Sequence, residues 1–326
     1  MSSAQRWCRI ALGASLAALE FGCEGECSPN NEVELSFEAS PVAVTLRGIV
    51  AGEGEGAVAV GDGGTIVRRV AEDDWDLQAS GVTADLFAVA SRPQESVVVA
   101  VGAAGTIVRS ADDGATWRPV ASGTTAELYA VALAEDEAVA IAVGDGVALR
   151  SEDAGGTWSM GQVPEGTSVL RGVAGRDGAW LAAGENSQVL SSVDGGRTWQ
   201  RIELGRLIDL QAVAVDRYDL TSAPEPEPFL VSDTVHAVFV VSDRRWHGAT
   251  ASISETILDM SRDGAWWVGE RGLVLHRPST VFGGFMPLSA DPKLALHGVE
   301  GTRTRAFAVG AEGLIVRAVL HELGCS

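Results

Sequence analysis

Basic residues are scarce in this chain of 326 residues: 24 Lys and Arg stand against 44 Asp and Glu, a formal net charge of -20. Non-specific nucleic-acid binding depends on Lys and Arg neutralising phosphates, so this balance excludes it. Basic peptides, cations or simple solubility remain as reasons for so acidic a surface. Long apolar runs are missing too. The stretch Ile10 to Leu19 is too short to span a bilayer, and no amphipathic helical stripe follows it, which argues against a helical domain. No Asp-x-Asp-x-Asp-Gly loop occurs, so no dedicated calcium site is expected. His321-Glu322 lacks the second histidine that a zinc-protease helix needs. Neither a metal nor a cofactor is expected.

What the chain does contain is one unit written repeatedly. Val99 to Trp117, VAVGAAGTIVRSADDGATW, has six imperfect relatives, aligned by the residue that ends the first apolar run: Gly61, Gly102, Gly144, Gly184, Ser232, Gly269 and Gly310. The step is about 41 residues, with about 48 into the fifth copy and about 37 out of it. Upstream of each marker stands a second pattern, Leu-x-small-Val, beginning at Leu46, Leu86, Leu128, Leu170, Leu210, Ile257 and Leu296. The apolar runs between markers are short, rich in Val, Ala and Ile, and broken by Gly, Asp and Ser, as strands are. Each copy reads as four strands: A at Leu-x-small-Val, B ending at the marker, C at TIVRS, and D starting at the tryptophan. Four-stranded units of this length are propeller blades. The expectation is an all-β, seven-bladed β-propeller with four-stranded blades over residues 32–326, its ring closed by an N-terminal strand.

Three copies carry a full Ser-x-Asp-x-Gly-x-Thr-Trp octet. Its residues are Ser110, Asp112, Gly114, Thr116 and Trp117; Ser151, Asp153, Gly155, Thr157 and Trp158; and Ser192, Asp194, Gly196, Thr198 and Trp199. The octet suits a tight C-to-D hairpin. The carboxylate accepts backbone N–H groups in the turn, Gly supplies a φ that other residues resist, and Trp buries its ring against the next blade. Copies one and five keep a remnant, ending at Trp75 and Trp246; copies six and seven have lost it.

VAVGAAGTIVRSADDGATW and SSVDGGRTW resemble the repeats of the photosystem II stability/assembly factor family, the Asp-box or BNR-repeat propellers, over about residues 32 to 320. The resemblance implies an exported, non-catalytic, seven-bladed propeller that binds membrane-protein subunits as an assembly factor. Copies five and six depart from the pattern, so the inherited partner does not follow from it.

Residues 1–22 read as an export signal, with Arg6 and Arg9 ahead of the apolar run. Phe21-Gly22-Cys23 resembles the end of a bacterial lipobox, although Glu20 stands where that box usually has Leu. Cys23 is either the lipidated mature N-terminus or part of a plain cleaved signal, and residues 23–31 form a short linker. Lipidation would place the protein in the bacterial cell envelope, at the outer membrane or in the periplasm; a plain signal would leave it secreted. The anchor is the only membrane contact expected, and the protein is expected to be a monomer. With Cys8 lost in the leader, Cys27 and Cys325 remain. A strand over Glu32 to Ala39, antiparallel to Leu314 to Leu320, would complete the last blade and bring them together, which predicts a disulfide. The segment Asp216 to Pro228 is rich in Pro and Glu and reads as a solvated loop.

The variable place in Leu-x-small-Val runs through Arg47, Phe87, Tyr129, Arg171, Gln211, Leu258 and His297. A buried core position would not tolerate that range. These side chains are expected at the mouth of the central funnel, where Arg and Tyr are typical interface anchors. The alternative is that they pair with an acidic rim just after the marker, formed by Asp62, Asp145, Glu185, Asp233, Glu270 and Glu312. The rim itself is either solvated turn chemistry or an attraction for a basic partner. At the end of strand C stand Arg68, Arg109, Arg150, Arg317 and His276, read as pairing locally with acidic C-to-D turns or as an anion-binding ring.

Catalysis is not expected. Sialidases also carry Asp-boxes, but they need three arginines and a Glu-activated Tyr nucleophile. Of two tyrosines here, Tyr129 stands where another copy has Phe87 and Tyr218 lies in the insertion. The expected function is binding of a protein or peptide partner; a glycan-binding or glycan-cleaving propeller and a structural surface lipoprotein are the alternatives.

Overall fold

The computed structural model describes residues 31–322, apart from 52–55, 93–95, 135–137, 177, 204–208, 216–227, 233–236, 241–244, 249–255, 262–264, 277–285, 291–292 and 303. Among the described residues all regular structure is strand, joined by turns and single-turn 3-10 segments. Hydrogen bonds sort the strands into seven four-stranded sheets. The first runs outward in chain order as Leu46–Ala51, Ala57–Gly61, Ile66–Ala71 and Asp74–Gln78. Sheets two to six repeat that order. In the last sheet Leu296–Thr302, Arg305–Gly310 and Ile315–Glu322 come from the end of the chain, and the outermost strand is Asn31–Glu38 from its beginning. The two chain ends are antiparallel there, with Asn31 opposite Glu322 and Glu38 opposite Ile315. Leu46–Ala51 lies beside both Leu86–Arg92 and Leu296–Thr302, so the innermost strands close a ring around a central channel.

Burial is greatest in the second strand of each sheet and falls outward from it, and the sequence pattern follows it. Second strands such as Val97–Gly102 and Ala140–Gly144 are buried throughout, because neighbouring sheets cover both of their faces. Such strands read as unbroken apolar runs instead of alternating ones. The outermost strands, such as Arg118–Val120, face solvent and carry polar residues.

The expectation of seven equivalent blades is corrected here. Among the described residues, apolar packing between adjacent sheets is found at six seams: seven to one, one to two, two to three, three to four, four to five, and six to seven. Of the fifth copy, the one displaced by the insertion, Leu210 and Val213 of the inner strand are placed in these cores, and its side chains beyond Val213 lie outside the described residues. Among the described residues the repeated packing is therefore seen at six seams.

The marker glycines have a steric cause. A Cβ on Gly102 would sit 1.9 Å from the Asp85 carbonyl oxygen, and Gly61, Gly144, Gly184, Gly269 and Gly310 meet the same obstruction. The turn after strand B folds back onto the residue before strand A, which leaves no room for a side chain.

Candidate functional site

Each inner strand begins with the same irregularity. The leucine of Leu-x-small-Val pairs with the marker residue, as Leu46 with Gly61, and the next pairing is Gly48 with Val60, so Arg47 is skipped. The same register shift skips Phe87, Tyr129, Arg171, Gln211, Leu258 and His297. A bulge of this kind re-aims one side chain out of the strand's alternation. The leucines on one side of it are fully buried, while all seven bulged residues line one cavity of ≈ 580 Å³ at the channel. The bulge explains why this position varies in chemistry while its neighbours do not.

Four of the seven form a continuous ladder. The Arg47 guanidinium carbon lies 5.6 Å from the Phe87 ring centroid. Phe87 and Tyr129 stack at 5.5 Å with 16° between planes. The Arg171 guanidinium carbon lies 4.8 Å from the Tyr129 ring. Both arginines are within cation–π range, so each end of the aromatic pair is covered by a cation. Arg47 also pairs with Asp62 at 2.5 Å and Arg171 with Glu185 at 2.5 Å, with side chains about one-third exposed. At that exposure an ion pair orients more than it stabilises. Burial pushes the Tyr129 hydroxyl above its ordinary value. Burial first, and then the neighbouring Arg47, hold His297 below the usual imidazole value, which favours the neutral ring.

Rim and recognition surface are therefore partly one network. Asp62 and Glu185 serve the ladder's arginines, and Glu270 accepts the Thr256 hydroxyl at 2.9 Å. Asp145 and Glu312 are exposed, and Asp233 lies outside the described residues. A further set of carboxylates escaped the sequence reading. Asp85, Glu127 and Asp209 accept the N–H of Gly63, Ala104 and Asn186 at 2.7, 3.1 and 2.8 Å, each tying one sheet to the B-to-C turn of the sheet before it. The signal that would have found them is an acid directly before the leucine of the A-strand pattern in three copies.

The octets are hairpins held by their own side chains. Asp112 accepts the Ser110 hydroxyl at 2.7 Å, the Thr116 N–H at 2.8 Å and the Thr116 hydroxyl at 2.6 Å. Asp153 and Asp194 repeat the three bonds with Ser151 and Thr157 and with Ser192 and Thr198. These bonds, the Thr hydroxyl first, hold Asp112 down to about 2 and Asp194 well below the usual carboxylate range. Gly114 has φ +80°, and a Cβ there would sit 2.6 Å from Val58 of the preceding sheet.

Two expectations are corrected at this edge. Trp117, Trp158 and Trp199 pack into the seams one to two, two to three and three to four, so each ring faces the preceding sheet and not the next. The strand-C arginines face the other way. Arg68 and Arg109 donate to the Asp113 and Ala154 carbonyls of the following octet at 2.8 Å, and Arg150 donates to Gly195. Arg68 and Arg109 thus clamp backbone in the next sheet instead of pairing with their own turn, whereas Arg150 does both, since it also pairs with Glu152 of its own turn as expected. Arg317 reaches forward in the same sense, to Glu72 of the first sheet at 2.9 Å. His276 is buried against the Trp266 ring, 4.3 Å between centroids, and joins no ring of anion-binding groups.

Cys23, Cys27 and Cys325 lie outside the described residues. Among the described residues no cluster of three or more His, Cys, Asp or Glu is placed to hold a metal ion.

No protein-family model matches the sequence, and no curated protein sequence matches it. Solved structures match the shape. The structure described as YCF48 bound to D1 peptide superimposes with a TM-score of 0.66 at 15% identity, covering 94% of this chain and 99% of that one. YCF48 from Cyanidioschyzon merolae matches at 0.66 and 15%, covering 87% and 98%. The WD40 propeller domain of Doa1 matches at 0.67 and 14%, covering 87% and 96%. At such identities the likeness establishes the fold alone, a β-propeller similar to YCF48 and to WD40 propellers.

Proposed function

We propose that this chain is a non-catalytic propeller that binds a protein or peptide segment across the mouth of its channel. In this reading it acts as an assembly factor of a bacterial cell envelope, to which it is exported and held by a lipid on Cys23. The observation that carries the binding role is the convergence of the bulged residues on one cavity, where Arg47, Phe87, Tyr129 and Arg171 form a preorganised cationic and aromatic surface. Stacked and paired side chains lose little further freedom when a ligand arrives, which favours binding. A propeller of the same fold has been solved with a peptide bound, and an extended segment laid over the channel fits that precedent.

The test is selection of peptides from a random displayed library by the purified chain lacking residues 1–22. Affinities of the selected peptides are then measured against the variant Arg47→Glu, Tyr129→Ala, Arg171→Glu. A loss of about 100-fold is expected on removing three central anchors. Unchanged affinity would move the site off this face, and selection of no peptide would end the binding reading. Export and lipidation are tested by radiolabelled palmitate uptake with Cys23→Ser as the control; equal labelling of both overturns the anchor.

A further inference from the structure

The small residue after the bulge is Gly48, Ala88, Ala130, Gly172, Ala212 and Gly298 in six copies, and Asp259 in the sixth. The reason for smallness is steric. A Cβ on Gly48 would sit 3.1 Å from the Ala88 Cα, and one on Gly298 would sit 2.8 Å from the Arg47 carbonyl oxygen, so the position faces the backbone of the following sheet. Asp259 adds volume and a carboxyl at this place. It accepts the Val299 N–H of the next sheet at 2.9 Å, and it lines the channel cavity together with Glu300, Met260, Val299 and Val213. This half of the wall is acidic and apolar. The ladder of Arg47, Phe87, Tyr129 and Arg171 occupies the other half, on sheets one to four, and its two cations are already tied to Asp62 and Glu185.

A hydrogen bond to Val299 is equally available to a neutral asparagine, so the seam alone does not require a charge. An acid kept in a desolvated channel is costly unless a cation meets it. We propose that the segment bound at the channel mouth presents one basic side chain, arginine or lysine, which enters the channel and sets its cation against Asp259 and Glu300. This deepens the peptide-binding reading above and rests on it.

The electrostatic surroundings agree. Burial is the main cause that pushes Asp259 up to about 7, with Glu300 adding to it against the bonds from the Val299 and Met260 N–H groups. The charged group facing it is Glu300 on Leu296–Thr302, while His297 of the same strand stands by Arg47 and Asp62; Leu210–Val215 and Trp266–Gly269 bring no titratable side chain. A ligand cation draws the proton off Asp259, and recognition weakens below neutral pH as the carboxyl is reprotonated.

The experiment uses the same displayed library at pH 8, selected against the wild type and against Asp259→Asn, with circular dichroism confirming the fold of the variant. Wild-type selections should share one Arg or Lys. Replacing that residue by citrulline or norleucine should cost at least about tenfold in affinity, as loss of one partner of a desolvated ion pair does. Asp259→Asn should lose the same factor for the basic peptide and nothing for its neutral analogue, and Glu300→Gln should lose part of it. At pH 5.5 the wild type should lose the preference too. Peptides selected without a shared basic residue, or a preference that survives in Asp259→Asn, overturn this inference and leave the binding face standing. Selection of no peptide at all overturns both.

Discussion

Glu38 lies on the strand that completes the last sheet, 8% exposed, and its carboxylate crosses to Arg69 of the first sheet, 2% exposed. Arg69 donates through Nε and Nη2 to the two carboxylate oxygens, each at 2.8 Å, and the Trp75 indole N–H donates to Oε2 at 2.7 Å. Phe307 of the last sheet packs beneath both, 5.1 Å from the guanidinium carbon and edge-on to the Trp75 ring at 6.2 Å. Glu38→Ala takes this carboxylate away from a buried guanidinium and a buried indole N–H. Breaking a buried ion pair costs about 3–5 kcal/mol. The indole bond is worth about 1–3 kcal/mol by itself, but the two losses share one carboxylate and do not add in full. We therefore expect a total near 4 kcal/mol, roughly. The double variant Glu38→Leu, Arg69→Met is expected to lie close to the wild type. Apolar replacement of a buried pair gains about 1–4 kcal/mol, and the stranded indole removes much of that gain. Urea denaturation followed by tryptophan fluorescence measures both. A Glu38→Ala cost under about 1 kcal/mol, or a double variant as unstable as the single, would refute a buried pair at the closing seam.

Asp112 is held at about 2 against an ordinary 3.8, so its contribution is full above the higher value and is lost as pH falls through the lower one. Asp112→Asn should be less stable than the wild type at neutral pH, with the gap closing between about pH 4 and 2; a gap that ignores pH contradicts this. Asp259 is the reverse case, raised from 3.8 to about 7: its contribution is full below the lower value and is lost as pH rises towards the upper. The melting temperature of Asp259→Asn relative to the wild type should therefore climb across that interval, and a flat difference would remove the desolvated carboxyl from the account. The pairing of the two chain ends reaches as far as Asn31 opposite Glu322. A Cys27–Cys325 peptide is expected in a non-reduced digest of exported protein, and two alkylatable thiols in its place would exclude the bond.

Much of the ring was legible because its determinants are local. The marker glycine is forced by a carbonyl a bond's length from where a Cβ would be, and the octet bonds only to itself, so both leave fixed spellings. The exposure of Arg47 and its equivalents could be read from their variety, although the bulge that produces it could not, since a skipped pairing has no residue signature of its own. Directions across seams were illegible. Whether Trp117 faces backward or forward depends on how sheets twist against each other, and only the packed structure decides it. The Glu38–Arg69 pair was missed for a related reason: its partners are 31 residues apart on sheets that meet only when the circle closes. Asp259 is legible in the sequence as the one exception to the small-residue rule, but its burial against the next sheet is not.

The order of synthesis gives the outermost strand of the last sheet an unusual history. Asn31–Glu38 is made before every other described strand, and its partner, Ile315–Glu322, after them all. A lone strand with open N–H and C=O groups is a template for the wrong neighbour. Throughout translation this one stays unmatched, its glutamate waiting for a mate that only circular closure supplies.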